Sequence, residues 1–250
     1  MSSDDKKVKG VVDLVFLLDA TGSMQSCIDG LKANIKYFFD RLTSPDEANR
    51  VPVREWRAKV VGFRDFDDNA LDWLVDNPFT DRVDQLHLQL DSLVATGGGD
   101  IPESFLDALF AVSSQEETGP GEELSPYRWR FRREAARAVI AFTDAPFKPV
   151  IRAPQGRGGT VDDVINRIME KRILLTVITP FQYLDEHDRI REFDDMHVLA
   201  EADKAEYLPL KDANGGTLSL ASFAQDQEVI VRLLTKLAKT LSKSVETEAL

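Results

Sequence analysis

Asp19, Thr21 and Ser23 stand at alternate positions in LVFLLDATGSMQSC, residues 14–27. In an extended loop these positions point the same way, so one carboxylate and two hydroxyls can converge on a single point. Two later segments carry donors of the same kind. ATGGGDIPES (95–104) supplies Asp100, Glu103 and Thr96, and TDAP (143–146) supplies Asp144. All are hard oxygen ligands, with no imidazole or thiolate among them. Such a set suits Mg²⁺ or Mn²⁺ rather than zinc or copper, and Mg²⁺ takes near-octahedral oxygens at about 2.0–2.1 Å with some positions left to water. None of the three segments places an obvious nucleophile beside a base, so the expected chemistry is binding rather than catalysis.

These donors meet only if the fold brings three distant segments to one edge. VVDLVFLL (11–18) is a continuous apolar run of the kind found in strands covered on both faces. From Met24 to Leu42, apolar residues recur at near-helical spacing through Ile28, Leu31, Ile35, Phe38 and Phe39 until TSPDE ends the pattern. A second strand is expected over 54–66 and a short, more polar edge strand over 69–77, with helical spacing in 80–93 and 102–114. The segment 113–126, rich in Gly, Pro, Ser and Glu, reads as a mobile surface excursion. Strands follow at 135–146, 173–180 and 205–210, and helices at 160–172, 187–203 and 219–243. This alternation predicts an α/β fold with right-handed crossovers: a doubly wound, mostly parallel six-stranded sheet with one short antiparallel edge strand, Rossmann-like and flanked by helices. In such a sheet, ligands gather outside the carboxyl ends of the strands, where all three donor segments fall. One domain is expected over 11–243, between a disordered N-terminal tail (1–10) and a C-terminal tail (244–250).

Composition narrows the function further. A net charge of −12 opposes approach to a phosphate backbone or an anionic leaflet, so neither nucleic acid nor membrane is expected as a partner. The single cysteine, Cys27, excludes an intramolecular disulfide, and with three histidines it makes a thiolate zinc site a poor fit. The polar start MSSDDKKVKG lacks the apolar core of a signal peptide, and no later run approaches the roughly 18 apolar residues of a membrane span. The expected location is cytoplasmic.

Asp19-x-Thr21-x-Ser23 resembles the opening motif of the metal-ion-dependent adhesion site of the von Willebrand factor A family, Asp-x-Ser/Thr-x-Ser. The resemblance extends to the third loop, where Asp144 in FTDAP matches the family's aspartate after a buried strand. In the middle loop the commonest family pattern completes the site with a threonine. GGGDIPES instead resembles hemicentin-type and alpha-kinase-associated A domains, and its Asp-x-Pro-Glu is similar to integrin beta subunits, in which the glutamate reaches the metal. The fourth ligand therefore stays open among Asp100, Glu103 and Thr96, ranked in that order. GFRDF (62–66) also fits the alpha-kinase-associated branch. Over roughly 11–241 the resemblance implies a non-enzymatic module that binds Mg²⁺ or Mn²⁺ and docks an Asp or Glu of a protein partner at the ion, within an assembly that includes an ATPase. A doubly charged ion with an open position would let a −12 chain accept a carboxylate, because its local charge outweighs a diffuse field.

Each signal has a plainer reading. An aspartate followed by Thr or Ser after a strand is often a helix N-cap, and TGGG lacks the Gly-Lys-Ser/Thr ending of a phosphate loop. YRWRFRRE (127–134) reads as an element entry with a solvated face, and His187 and His197 as surface residues, being too far apart for a zinc helix. Cys27 reads as buried, and the closing helix as core packing. From another functional class, a Mg²⁺-dependent aspartyl phosphotransferase or phosphatase of HAD-like type would also place an aspartate after the first strand. It would want a second carboxylate where Thr21 stands, and Lys148 to grip phosphate. A scaffold with a vestigial metal site is the third reading.

Overall fold

A computed structural model of the chain describes residues 10–45, 53–68, 71–98, 102–179, 206–209 and 227–247. Five parallel strands form the body of the sheet, in the order β2-β1-β4-β5-β6. They are β1 (Val11–Asp19), β2 (Glu55–Phe63), β4 (Ala136–Phe142), β5 (Ile173–Thr179) and β6 (Glu206–Pro209). β3 (Leu74–Asp76) pairs antiparallel with the β2 edge. It is shorter than the 69–77 expected because its pairing with β2 covers only Val61 to Phe63.

All nine residues of β1 are buried, as a continuous apolar run requires. Its two faces feed different cores. Val12, Leu14, Phe16 and Leu18 pack with α1 (Gln25–Leu42), α2 (Val83–Ser92) and α5 (Gln227–Thr247), while Val15 and Leu17 pack with α3 (Phe105–Ser113) and α4 (Val161–Lys171). Helices thus cover both faces. Cys27, Ile28, Leu31, Ile35, Phe38, Phe39 and Leu42 form the buried stripe of α1, at the spacing an amphipathic helix needs. The Phe38 ring meets Phe16 edge-on at 5.4 Å, and each such ring buried is worth roughly 1.5–3 kcal/mol. α1 stops where the Thr43 N–H and hydroxyl both donate to the Phe39 carbonyl, at 3.0 and 2.8 Å. α4 opens with the Asp163 carboxylate accepting from the Thr160 N–H at 2.8 Å, and closes at Arg172 in the left-handed conformation (φ 52°). That residue turns the chain directly into β5.

The segment 113–126 runs over the surface as expected, with 120–124 exposed, and it is anchored where it meets 127–130. Asp13 on β1 lies in register with Arg57 on β2 and Arg137 on β4. Arg57 grips both Asp13 oxygens, at 2.8 and 2.7 Å, and also donates to the carbonyls of Ser125 and Arg128. The Arg130 N–H donates to Asp13 Oδ2 at 2.7 Å. Trp129 is fully buried and its indole N–H donates to the Val112 carbonyl at 3.2 Å. Tyr127 and Arg128 are exposed, but the centre of YRWRFRRE is therefore not a solvated face. A buried acid on the central strand recruits it. The expected helix over 187–203 and the two histidines in it lie outside the described residues, as do 219–226 of the closing helix.

Candidate functional site

Chain winding runs from β1 to β2 on one side and resumes at β4 on the other, so the loops after β1 and β4 diverge at the carboxyl edge. Asp19 ends β1 and is completely buried. Its Oδ1 accepts from the Thr21 N–H at 2.9 Å and from the Thr21 hydroxyl at 2.6 Å. Its Oδ2 accepts from the Thr143 hydroxyl at 3.0 Å, across to the loop after β4. The Thr21 and Ser23 hydroxyl oxygens stand 3.5 Å apart, and Ser23 donates on to the Asp144 carboxylate. The first and third donor segments therefore meet, and alternate positions 19, 21 and 23 face together.

The second segment is sewn onto the first through its backbone. The Gly22 N–H donates to the Gly97 carbonyl at 3.1 Å, and the Thr96 N–H to the Ala20 carbonyl at 3.0 Å. Gly98 has φ +82°, a conformation that favours glycine, and a Cβ there would lie 2.9 Å from Thr21 Cβ and 3.4 Å from Glu103 Oε1. Thr21 and Glu103 therefore both border the space over Gly98, and Glu103 is buried. Thr96 is exposed. Asp100 lies outside the described residues.

Burial pushes the Asp19 carboxyl up to about 6; the Thr21 hydrogen bonds pull it down, and the nearby Asp144 charge raises it again. Asp144 is also raised, chiefly by burial and against the pull of its Ser23 hydrogen bond. Among the described residues, no cationic side chain is among the influences on either carboxylate. Cys27 is buried against this pair, and burial, with the two carboxylate charges, drives its thiol pKa upward, so it is an inert packing residue.

Sequence reasoning missed Thr143, because a hydroxyl preceding the aspartate of FTDAP carries no local signature of the bond it makes to Asp19. It also missed a second acidic cluster. Lys148 Nζ donates to both Asp65 oxygens at 2.6 Å and to Asp67 Oδ2 at 2.8 Å. Burial works against the Lys148 charge, but the two carboxylates outweigh it and hold its pKa above the usual lysine range. A little further on, Asp107 Oδ1 accepts from the N–H groups of Arg152 and Ala153, at 2.7 and 2.6 Å, anchoring the third loop to α3.

Carboxylates alone do not make a metal centre here: among the described residues, no group of three or more His, Cys, Asp or Glu is arranged to hold an ion. The donor set that fits a hard cation is mixed. It consists of the buried Asp19, the hydroxyls of Thr21 and Ser23, and Asp144 beyond them.

No family model matches the chain. No curated protein matches it in sequence. Among solved structures it is similar to proximal thread matrix protein 1 from the mussel byssus, with a TM-score of 0.51 and 13% identity, over 91% of this chain and 46% of that one. This chain thus spans about half the length of that structure, and at such identity the likeness is one of fold.

Proposed function

We propose that the chain is a divalent-cation-dependent protein-binding module of von Willebrand factor A type, on a doubly wound sheet. The observation that carries this reading is Asp19. It is a fully buried carboxylate supported by two hydroxyls and an amide, with a second carboxylate nearby and, among the described residues, no cation among the influences on it. An isolated buried negative charge is costly, and a bound cation offsets it. Asp19, Thr21, Ser23 and Asp144 would hold Mg²⁺ or Mn²⁺, with Glu103 or Asp100 as a further ligand. The ion's chemistry would be electrostatic: it would accept an Asp or Glu side chain from a partner. An ATPase-containing assembly is the partner class that the sequence resemblance favours.

The phosphotransfer reading is less well supported, because the ammonium group it needs for phosphate is already neutralised by Asp65 and Asp67. The test is calorimetric titration with Mn²⁺, followed by capture of partner proteins from extract with Mg²⁺ present or removed by chelation. Saturable binding of one ion that Asp19→Ala abolishes in a folded protein is the expected result. Unchanged affinity in that variant would refute the reading.

A further inference from the structure

Lys148, Asp65, Ser104 and Glu103 form a closed circuit beside the candidate ion site. Lys148 Nζ reaches both Asp65 oxygens at 2.6 Å, and the Ser104 hydroxyl donates to Asp65 Oδ1 at 2.9 Å while accepting from the Phe66 N–H at 3.0 Å. The main chain closes the circuit. The Lys148 N–H donates to the Glu103 carbonyl, and the Glu103 N–H to the Pro146 carbonyl, each at 2.9 Å. Asp65, Glu103, Ser104 and Lys148 are all buried. Asp67 adds a third carboxylate oxygen to the ammonium at 2.8 Å.

The circuit joins three loops that follow different strands or open different helices, and Glu103 sits at their junction. Its backbone is gripped by the Lys148 residue from two directions, through the Lys148 amide and through Asp65 and Ser104, and its carboxylate, like Thr21, borders the space over Gly98. Removing the ammonium would leave Asp65 and Asp67 as neighbouring like charges, with one of them buried. Their repulsion would free Ser104 and the start of α3. We propose that Lys148 is a positioning residue: an internal cation that holds Glu103 at the candidate ion site before any divalent ion arrives. Such preorganisation raises affinity by removing the cost of ordering a ligand on binding.

The inference rests on the ion-binding reading, so its test separates the two. Mn²⁺ affinity is measured by calorimetry on the full chain for wild type, Lys148→Met, Glu103→Gln and the double variant. Lys148→Met is expected to bind Mn²⁺ at least 10-fold more weakly than wild type. The double variant should lose little beyond Glu103→Gln, because the lysine acts through the glutamate. Lys148→Arg, which keeps the charge, should recover most of the affinity. Losses that add independently, or a folded Lys148→Met with wild-type affinity, would overturn the proposal. Should Lys148→Met fail to fold, Ser104→Ala opens the same circuit without removing charge, and a several-fold loss is expected there, with wild-type affinity overturning the proposal. A wild type that binds no Mn²⁺ would refute the ion-binding reading itself. Amide exchange at Glu103 and Lys148 would then judge the circuit, with 10-fold faster exchange in Lys148→Met expected and unchanged exchange overturning it.

Discussion

Asp13 and Asp19 share one strand and the same complete burial, yet their surroundings are opposite. At the amino end, Asp13 receives a two-pronged Arg57, the Arg130 N–H and the Arg130 guanidinium at 3.6 Å. Arg137, in register beside it, pairs with Glu117 and donates to the Arg130 carbonyl at 2.7 Å. At the carboxyl end, Asp19 receives hydroxyls and an amide, and its charged neighbour is another carboxylate. One end is balanced by the fold itself. The other, among the described residues, carries excess negative charge, and such imbalance at a sheet's carboxyl edge is what the proposed ion site rests on.

The comparison breaks most visibly at Arg57. Arg57→Met should cost about 3–5 kcal/mol, read from urea unfolding, because it strands the buried Asp13 charge. Asp19→Asn should do the reverse and stabilise the metal-free protein at pH 7 by about 1–3 kcal/mol, since it removes a charge that burial disfavours. The amide can keep the geometry. Its oxygen can still accept from Thr21, and its NH₂ can donate to the Thr143 hydroxyl, which can turn to donate to the Ala145 carbonyl at 3.2 Å. The same variant should lose any stabilisation by Mn²⁺. A destabilised Asp19→Asn protein would erase the contrast between the two ends.

The pH dependence of stability sharpens the contrast. Asp19 is raised in the folded chain from 3.8 to about 6, so the folded state holds its proton when the unfolded state has already released it. The stability this adds is complete below about pH 4 and is lost as pH rises through 6, by roughly 3 kcal/mol at 1.36 kcal/mol per pKa unit. Denaturation midpoints in wild type and Asp19→Asn, measured between pH 4 and 7 without metal, should differ by that slope. Saturating Mg²⁺ should offset the loss above pH 6, because it binds the ionised form of the folded state. The smallest effect is expected at Gly98→Ala. The positive φ and a Cβ 2.9 Å from Thr21 should cost about 1–2 kcal/mol and weaken Mn²⁺ binding by displacing the second loop, as calorimetry would show.

Much of this was legible in the chain before any coordinates. The apolar run of β1 and the stripe of α1 announce themselves by periodicity, since burial on two faces or on one leaves different residue patterns. Strand and helix ends were less legible, because pairing partners set them: β3 lasts only as long as its contact with β2. The alternation of Asp19, Thr21 and Ser23 disclosed one donor loop, and TDAP disclosed another. Thr143 escaped notice, because a threonine beside an aspartate has no signature of its own until Asp19 is seen to accept from it. The basic run at 127–134 reads as solvated for the same reason. Nothing local to Trp129 or Arg130 reveals that this run meets a buried acid, Asp13, far back in the chain on the central strand.

The sequence by itself determined which segments become strands and helices, and which residues have oxygens to offer, because both follow from local pattern and side-chain chemistry. Only the tertiary structure decided which buried charges are cancelled and which are not. Lys148 neutralises Asp65 and Asp67, Arg57 neutralises Asp13, and Asp19, among the described residues, has hydroxyls, an amide and Asp144 about it. Charge balance depends on separations of a few ångströms between residues distant in the chain, and chain order does not encode those separations.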